Sequence, residues 1–336
     1  MTTQPSTVLS AMTSSVLDAA RAIGLEVAAL QAQAGLSNEL LDDPDGRVPI
    51  ERHFALWRAL SEREIGLELG SHMGLSPAGV VGYAMQHGTN VGDALDWLQR
   101  YKAVLHPDVV PRLEQRSGEP PLIAFVQIVP AAFAALREPV DAQAAALVAS
   151  MELIAGRRVP PVSVALPHAA PAVLERHARV FACPITWNAA ALELVFDASV
   201  LALPLARSDA RLFGYLARRV EELAARLPAE TVSHAARRAI EQSLAAGEPG
   251  LGSVAKALGL SERTLHRRLS AEGTGFAQLV DDARKARALL LLEDPKLSGA
   301  EIAFLLGYGE PSTFFRAFRR WTGDTPRAFR ERMART

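Results

Sequence analysis

Val254–Ala255–Lys256–Ala257–Leu258–Gly259–Leu260–Ser261–Glu262 is followed, 48 residues later, by Ile302–Ala303–Phe304–Leu305–Leu306–Gly307–Tyr308–Gly309–Glu310. Ala255 maps to Ala303, Leu258 to Leu306, Gly259 to Gly307 and Glu262 to Glu310. After one inserted residue the match continues, with Thr264–Leu265–His266–Arg267–Arg268–Leu269 over Thr313–Phe314–Phe315–Arg316–Ala317–Phe318. Each copy predicts a short helix, a glycine turn and a second helix. The alanines sit where two helices cross closely, and the glycines permit a positive φ in the turn. Leu260 and Tyr308 fill the wedge between helices. Ser261 caps the second helix of the first copy by accepting from the Thr264 N–H. Pro311 suits a first-turn position, where its missing N–H is no loss.

Leu265 and Leu269, like Phe314 and Phe318, are four apart and face inward. Arg263, His266 and Arg267 then face outward in the first copy, and Ser312, Phe315 and Arg316 in the second. With Ser261 and Thr264 at the start of the first recognition helix, these are the candidate DNA-contacting residues, placed to enter a major groove. One such unit could equally be a helical hairpin in a core. Two in-register copies on a basic background point to double-stranded DNA. From Glu230 to Thr336 there are 17 Lys and Arg against 13 Asp and Glu, a net of +4, whereas the rest of the chain carries −5. A basic domain gains affinity for the phosphate backbone by releasing counterions.

From Gly252 to Arg330 the chain resembles the DNA-binding domain of AraC/XylS-type transcriptional regulators. The resemblance is carried by Val254–Ala255, Leu258–Gly259, Ser261 to Leu269, Gly273–Thr274–Gly275–Phe276 and Arg284. It continues through Leu297–Ser298, Glu301 to Tyr308, Phe318 to Gly323 and Thr325 to Arg330. It implies seven helices, with two recognition helices held by one connecting helix at about Phe276 to Leu292. Gly309 departs from the family, which more often has a capping serine there. Val81 to Ala84, Thr89 to Leu95, Ala170–Pro171, Phe181 to Pro184 and Leu201 to Leu205 resemble the sensing and dimerisation domain of one branch. That branch has an arabinose-binding-like N-terminal domain and includes regulators of ornithine and arginine utilisation.

The chain reads as an α+β N-terminal domain, its body, followed by an all-α C-terminal domain with two helix-turn-helix units. Residues up to about 15 read as a disordered tail. Ser15 to Ala34 and Pro49 to Leu69 read as helices, and Thr89 to Leu105 as a clearer one capped by Thr89 or Asn90. Pro130 to Ala155 is Ala-rich and helical. Leu122 to Ile128 and Val162 to Leu166 are strand-prone, and Ile185–Thr186–Trp187 with Leu192 to Phe196 reads as a hairpin across Asn188–Ala189–Ala190. Leu212, Leu216, Val220 and Leu223 stripe a helix that packs either on the body or on a second subunit. The expected domains are 1–205 for effector sensing and dimerisation, 206–229 as a linker helix, and 230–336 for DNA binding.

At 336 residues and 49% hydrophobic, the chain has the composition of a soluble protein with room for two cores. Its single cysteine, Cys183, reads as a small apolar side chain and fits a reducing cytoplasm. Met1 to Ser14 lacks the pattern of a signal peptide, and no run suits a transmembrane helix. No dinucleotide fingerprint, P-loop or His-Glu-x-x-His motif occurs. No catalytic residue, cofactor or metal ligand is therefore assigned. His168 and His177, with Glu175 between them, could hold a metal but read first as the polar face of a solvated helix. The expectation is a ligand-responsive transcription activator, not an enzyme. Its partners would be promoter DNA, an unknown small-molecule effector, a second copy of itself and RNA polymerase. The alternatives are a ligand-independent repressor or architectural dimer, and an enzyme fused to a DNA-binding module.

Overall fold

Alternation along Leu122–Gln127 builds the sheet of the body. Ile123 and Phe125 point into the main core, while Ala124 and Val126 join Val195 in a small cluster on the opposite face. In the computed structural model, residues 7–106, 111–127, 136–227, 231–244, 249–292 and 297–333 are described. The chain divides into two units, Met1–Leu227 and Pro228–Thr336.

The first unit opens with β1 (Thr7–Leu9), α1 (Ser10–Ala22), α2 (Val27–Ala34), α3 (Asn38–Leu41), β2 (Arg47–Pro49) and α4 (Ile50–Leu60). There follow α5 (Gly66–Met73), α6 (Gly79–Met85), α7 (Val91–Leu105), β3 (Arg112–Arg116), β4 (Leu122–Gln127) and α8 (Arg137–Ala155). It closes with β5 (Ser163–Ala165), α9 (Glu175–Phe181), β6 (Ile185–Thr186), β7 (Leu192–Asp197) and α10 (Ala210–Arg226). β1 pairs antiparallel with β2, Val8 opposite Val48. The larger sheet runs β3-β4-β7-β5-β6, antiparallel except where β5 meets β6. Phe125 stands opposite Leu194, and its ring meets Phe196 edge-on at 5.7 Å.

Several expectations are corrected. The segment read as a tail is strand from Thr7 and helix from Ser10, because Val8 pairs with Val48 and is fully buried. Ser15 to Ala34 is two helices, with a break from Ile23 to Glu26. Pro49 to Leu69 is likewise split, by a 3-10 turn at Ser61–Arg63. The hairpin across Asn188–Ala189–Ala190 does not exist: β5 lies between β6 and β7 and takes both as partners. The helix expected from Pro130 runs from Arg137, and 128–135 lie outside the described residues. His177 is not on a solvated face but buried.

Other elements follow their local chemistry. α7 begins where Asn90 Oδ1 accepts from the Asp93 N–H at 2.8 Å. α8 is Ala-rich because α5 lies almost backbone to backbone on it. A Cβ at Gly70 would stand 2.1 Å from the Ala142 carbonyl oxygen, and one at Gly66 would stand 2.5 Å from that of Glu138. α10 packs on the first unit through Val220 and Leu223, while Leu212 and Tyr215 at its start are exposed. Cys183 is half-buried against the main core, and burial pushes its thiol up. Among the described residues no helix is long and apolar enough to cross a membrane.

The second unit contains α11 (Val232–Leu244), α12 (Leu251–Ala257), α13 (Glu262–Ala271), α14 (Phe276–Leu291), α15 (Gly299–Leu305), α16 (Pro311–Thr322) and α17 (Pro326–Met333). It has two cores. One gathers Ala236, Ile240, Val254, Leu265 and Leu269, and the other gathers Ile302, Leu306, Phe314 and Phe318. α14 gives Leu279, Val280 and Ala283 to the first and Ala288 to the second.

Candidate nucleic-acid interface

Both repeated segments fold as helix, glycine turn, helix. Gly259 and Gly307 take φ of +64° and +75°, a conformation that strains any residue with a Cβ. Ala255 and Ala303 are buried at the helix crossings. α13 starts at Ser261, whose Oγ accepts from the Thr264 N–H at 3.2 Å and lies 2.9 Å from the Thr264 hydroxyl. These two hydroxyls are thus engaged with each other at the helix end. Leu265 and Leu269 are fully buried, and Arg263, His266 and Arg267 stand exposed on the other face of α13.

α15 starts with a reciprocal cap: Ser298 Oγ accepts from the Glu301 N–H at 3.2 Å, and Glu301 accepts from the Ser298 N–H at 2.7 Å. Hydrogen bonding to the Ser298 side chain and backbone N–H holds the exposed Glu301 carboxyl below its ordinary range. α16 has no side-chain cap. Its N-cap is Glu310 in an extended conformation, and Pro311 supplies the preset φ at the first position. The family's capping serine, replaced by Gly309, is therefore not needed to start the helix. Phe314 and Phe318 point inward, while Ser312 and Arg316 are exposed. Phe315 divides its surface. It is 40% exposed, yet its ring rests where a Cβ on Gly299 would be, 2.9 Å away.

Residues outside the candidate set fix the second recognition helix. The Arg284 guanidinium of α14 lies over the Tyr308 ring at 4.5 Å, and its Nε donates to the Leu306 carbonyl at 3.2 Å. Arg320 of α16 pairs with Asp281 of α14. Arg284 belonged to the sequence resemblance, but nothing local in the sequence links Asp281 to Arg320.

The first unit holds a cavity of about 160 Å³ among α1, α4, α7, α8 and β4. Val16, Trp57, Met73, Leu98, Phe125 and Met151 form much of its wall, and no described lining residue is Asp, Glu, Lys or Arg. His53, Gln127, Gln143 and Ser150 supply its polar groups. Burial, reinforced by His106, pushes the His53 imidazole down to about 3, so the ring is neutral. Its Nε2 accepts from Trp57 Nε1–H at 3.1 Å, leaving Nδ1–H to donate to Thr13 Oγ1 at 3.0 Å. The Gln143 amide donates to Gln127 Oε1. Sequence reasoning missed this wall because its residues lie far apart in the chain.

Residues 24–205 match the family described as the arabinose-binding domain of AraC transcription regulator, N-terminal, and 254–332 match a helix-turn-helix domain family. The chain is 29% identical over 320 residues to the ornithine utilization regulator of Pseudomonas aeruginosa, covering 94% of each protein. It is 31% identical over 273 residues to the HTH-type transcriptional regulator VqsM of the same organism, covering 79% of this chain and 83% of that one. Against the crystal structure of transcriptional regulator CdpR from Pseudomonas aeruginosa the TM-score is 0.40 at 22% identity, over 98% of this chain and 100% of that one.

Proposed function

The chain belongs to the AraC family of transcription regulators and is a DNA-binding regulator, and from that premise we propose how it reads DNA and what it senses. Arg263, His266 and Arg267 enter one major-groove segment, with Ser261 and Thr264 at the phosphate edge of that helix. Ser312, Phe315 and Arg316 enter the next segment. The observation that supports this is the exposed face on each second helix, backed by its own buried core. Two such helices in one subunit meet groove segments about 34 Å apart. Hydroxyl-radical footprinting of the full chain on its promoter is expected to show two protected segments per subunit. A single protected segment would reduce the second unit to a packing element.

The cavity is the effector site, and its occupant is a small uncharged, largely apolar molecule. An apolar cavity of about 150 Å³ accepts a benzene-sized ligand, which sets the scale. One relative is named for ornithine, whose ammonium and carboxylate groups require partners. Burying such charges unpaired costs several kcal/mol each, and no described lining residue carries a charge. The absence of Asp, Glu, Lys and Arg among its described lining residues also supports sensing over catalysis. A neutral aromatic or short alkyl amide at about 100 times its Kd should raise the melting temperature of the first unit by about 5–10 °C. Ornithine should leave it unchanged. A shift with ornithine alone would overturn this assignment.

The regulator acts as a homodimer in the cytoplasm, an activator working with RNA polymerase. Leu212 and Tyr215, 39% and 66% exposed on α10, form the contact between copies. Occupancy of the cavity has to favour one subunit arrangement by a few kcal/mol to switch DNA affinity. By sedimentation, the full chain should be dimeric at micromolar concentration and Tyr215→Asp monomeric. A monomeric wild type excludes the dimer.

A further inference from the structure

Three separate elements of the first unit bring nitrogen and oxygen donors to one point. Asp141 lies on α8, His168 in the loop after β5, and His177 on α9. Nε2 of His168 and Nε2 of His177 each lie 3.0 Å from the same atom, Asp141 Oδ1. The side chains of Asp141, His168 and His177 are only 5%, 10% and 5% exposed. The three donor atoms lie within 4.8 Å of one another.

The hydrogen-bonding pattern calls for a cation at this point. His168 Nδ1 is 3.0 Å from the Ala169 carbonyl oxygen, which only accepts, so Nδ1 carries a proton. A neutral His168 then aims the Nε2 lone pair at the carboxylate oxygen. Two lone pairs at that distance repel unless a positive charge stands between them. The carboxylate is available as a ligand. Its other oxygen, Oδ2, lies 3.6 Å from Arg137 Nε, and that guanidinium is itself paired with Glu64 at 3.1 Å.

We propose that Asp141, His168 and His177 bind one zinc-class divalent cation. Donors at bond lengths of about 2.0–2.1 Å on a tetrahedral ion stand roughly 3.3 Å apart, so the two observed 3.0 Å nitrogen–oxygen separations need only small adjustments, and the two imidazole nitrogens, within 4.8 Å of each other, close to the same spacing. Imidazole donors favour a zinc-class ion over calcium or magnesium. For His168 the outer shell is of the kind that orients metal-binding histidines, whereas His177 Nδ1 is buried without a hydrogen-bond partner among the described residues. A backbone carbonyl fixes the His168 tautomer, and Trp187 packs against both rings at 5.6 and 5.1 Å. Three protein ligands leave a fourth position for water. The ion ties α8 to the segment that follows β5. The same helix supplies Val140, Gln143, Leu147 and Met151 to the cavity wall, so the ion also fixes that wall.

Full-length protein, stripped with a chelator and dialysed, is titrated with cobalt(II), and zinc(II) is then added as competitor. One equivalent of cobalt should bind with a Kd of about 10 µM or tighter. It should give the visible bands of a four-coordinate ion, quench Trp187 fluorescence, and be displaced by zinc. W187F should keep the bands and lose most of the quenching. H168Q should bind at least about tenfold more weakly. Absence of visible bands in the wild type overturns the proposal and leaves a proton as the only cation. Bands that persist undiminished in folded H168Q, or quenching identical in wild type and W187F, place the ion elsewhere and overturn it too. The W187F comparison decides the matter even if H168Q does not fold.

Discussion

Phe318→Ala is expected to unfold the second helix-turn-helix unit at temperatures where the first remains folded. Phe318 is fully buried and packs against Phe314 at 5.7 Å, Phe329 at 5.5 Å and Trp321 at 6.4 Å. Truncating such a side chain removes its transfer free energy and leaves a cavity, a loss of about 3–5 kcal/mol. That is a large fraction of the roughly 5–15 kcal/mol that holds a domain together. The loss stays local because Phe318 belongs to the core around α15 and α16, whereas α12 and α13 close over a different one. Amide exchange should show protection lost across residues 299–322 and kept across 251–271. Equal loss in both segments would mean that α14 couples the two cores into one cooperative block.

Arg267→Ala is expected to weaken binding to the cognate promoter by about 1–3 kcal/mol, or about 5- to 150-fold, without changing thermal stability. The side chain is exposed on α13, so its removal opens no cavity. Arginine presents two parallel donors to guanine O6 and N7, and lysine cannot copy that fork. Arg267→Lys should therefore recover binding to nonspecific DNA but not to the promoter. A contact to phosphate alone would instead weaken all sequences alike and lower the salt slope by about one. Wild-type promoter affinity in Arg267→Ala would mean that α13 faces the groove in a different register.

The second unit was legible because its determinants are local. An alanine at a crossing, a glycine in the left-handed region and a serine cap act within one turn of chain, and the 48-residue repeat states them twice. In the body, the Asn90 cap and the helix it starts were readable for the same reason. What failed there depended on distant partners. β6 is two residues long, and nothing near Ile185 announces that it pairs parallel with Val164 rather than folding back on Leu192. Val8 is strand only because Val48 lies beside it. His168 and His177 were noticed but given the wrong surroundings, since Glu175 is near in sequence whereas Asp141 supplies the carboxylate. The cavity was invisible for that reason too, because Val16, Trp57, Phe125 and Met151 meet only after the sheet and α8 close.

α14 crosses from one core to the other within five residues, from Ala283 to Ala288. That makes it a phase-setting element. One residue inserted between them would turn everything beyond by about 100° and advance it by only about 1.5 Å. DNA turns about 35° per base pair and advances about 3.4 Å. About three base pairs would match that rotation, but they add about 10 Å of length, which the helix does not supply. No insertion on one side therefore offsets a small insertion on the other. On the proposed two-segment reading, the length of this helix and the spacing of the groove segments in a promoter are locked together, and new target sites would arise by changing side chains on α13 and α16 rather than by changing spacing.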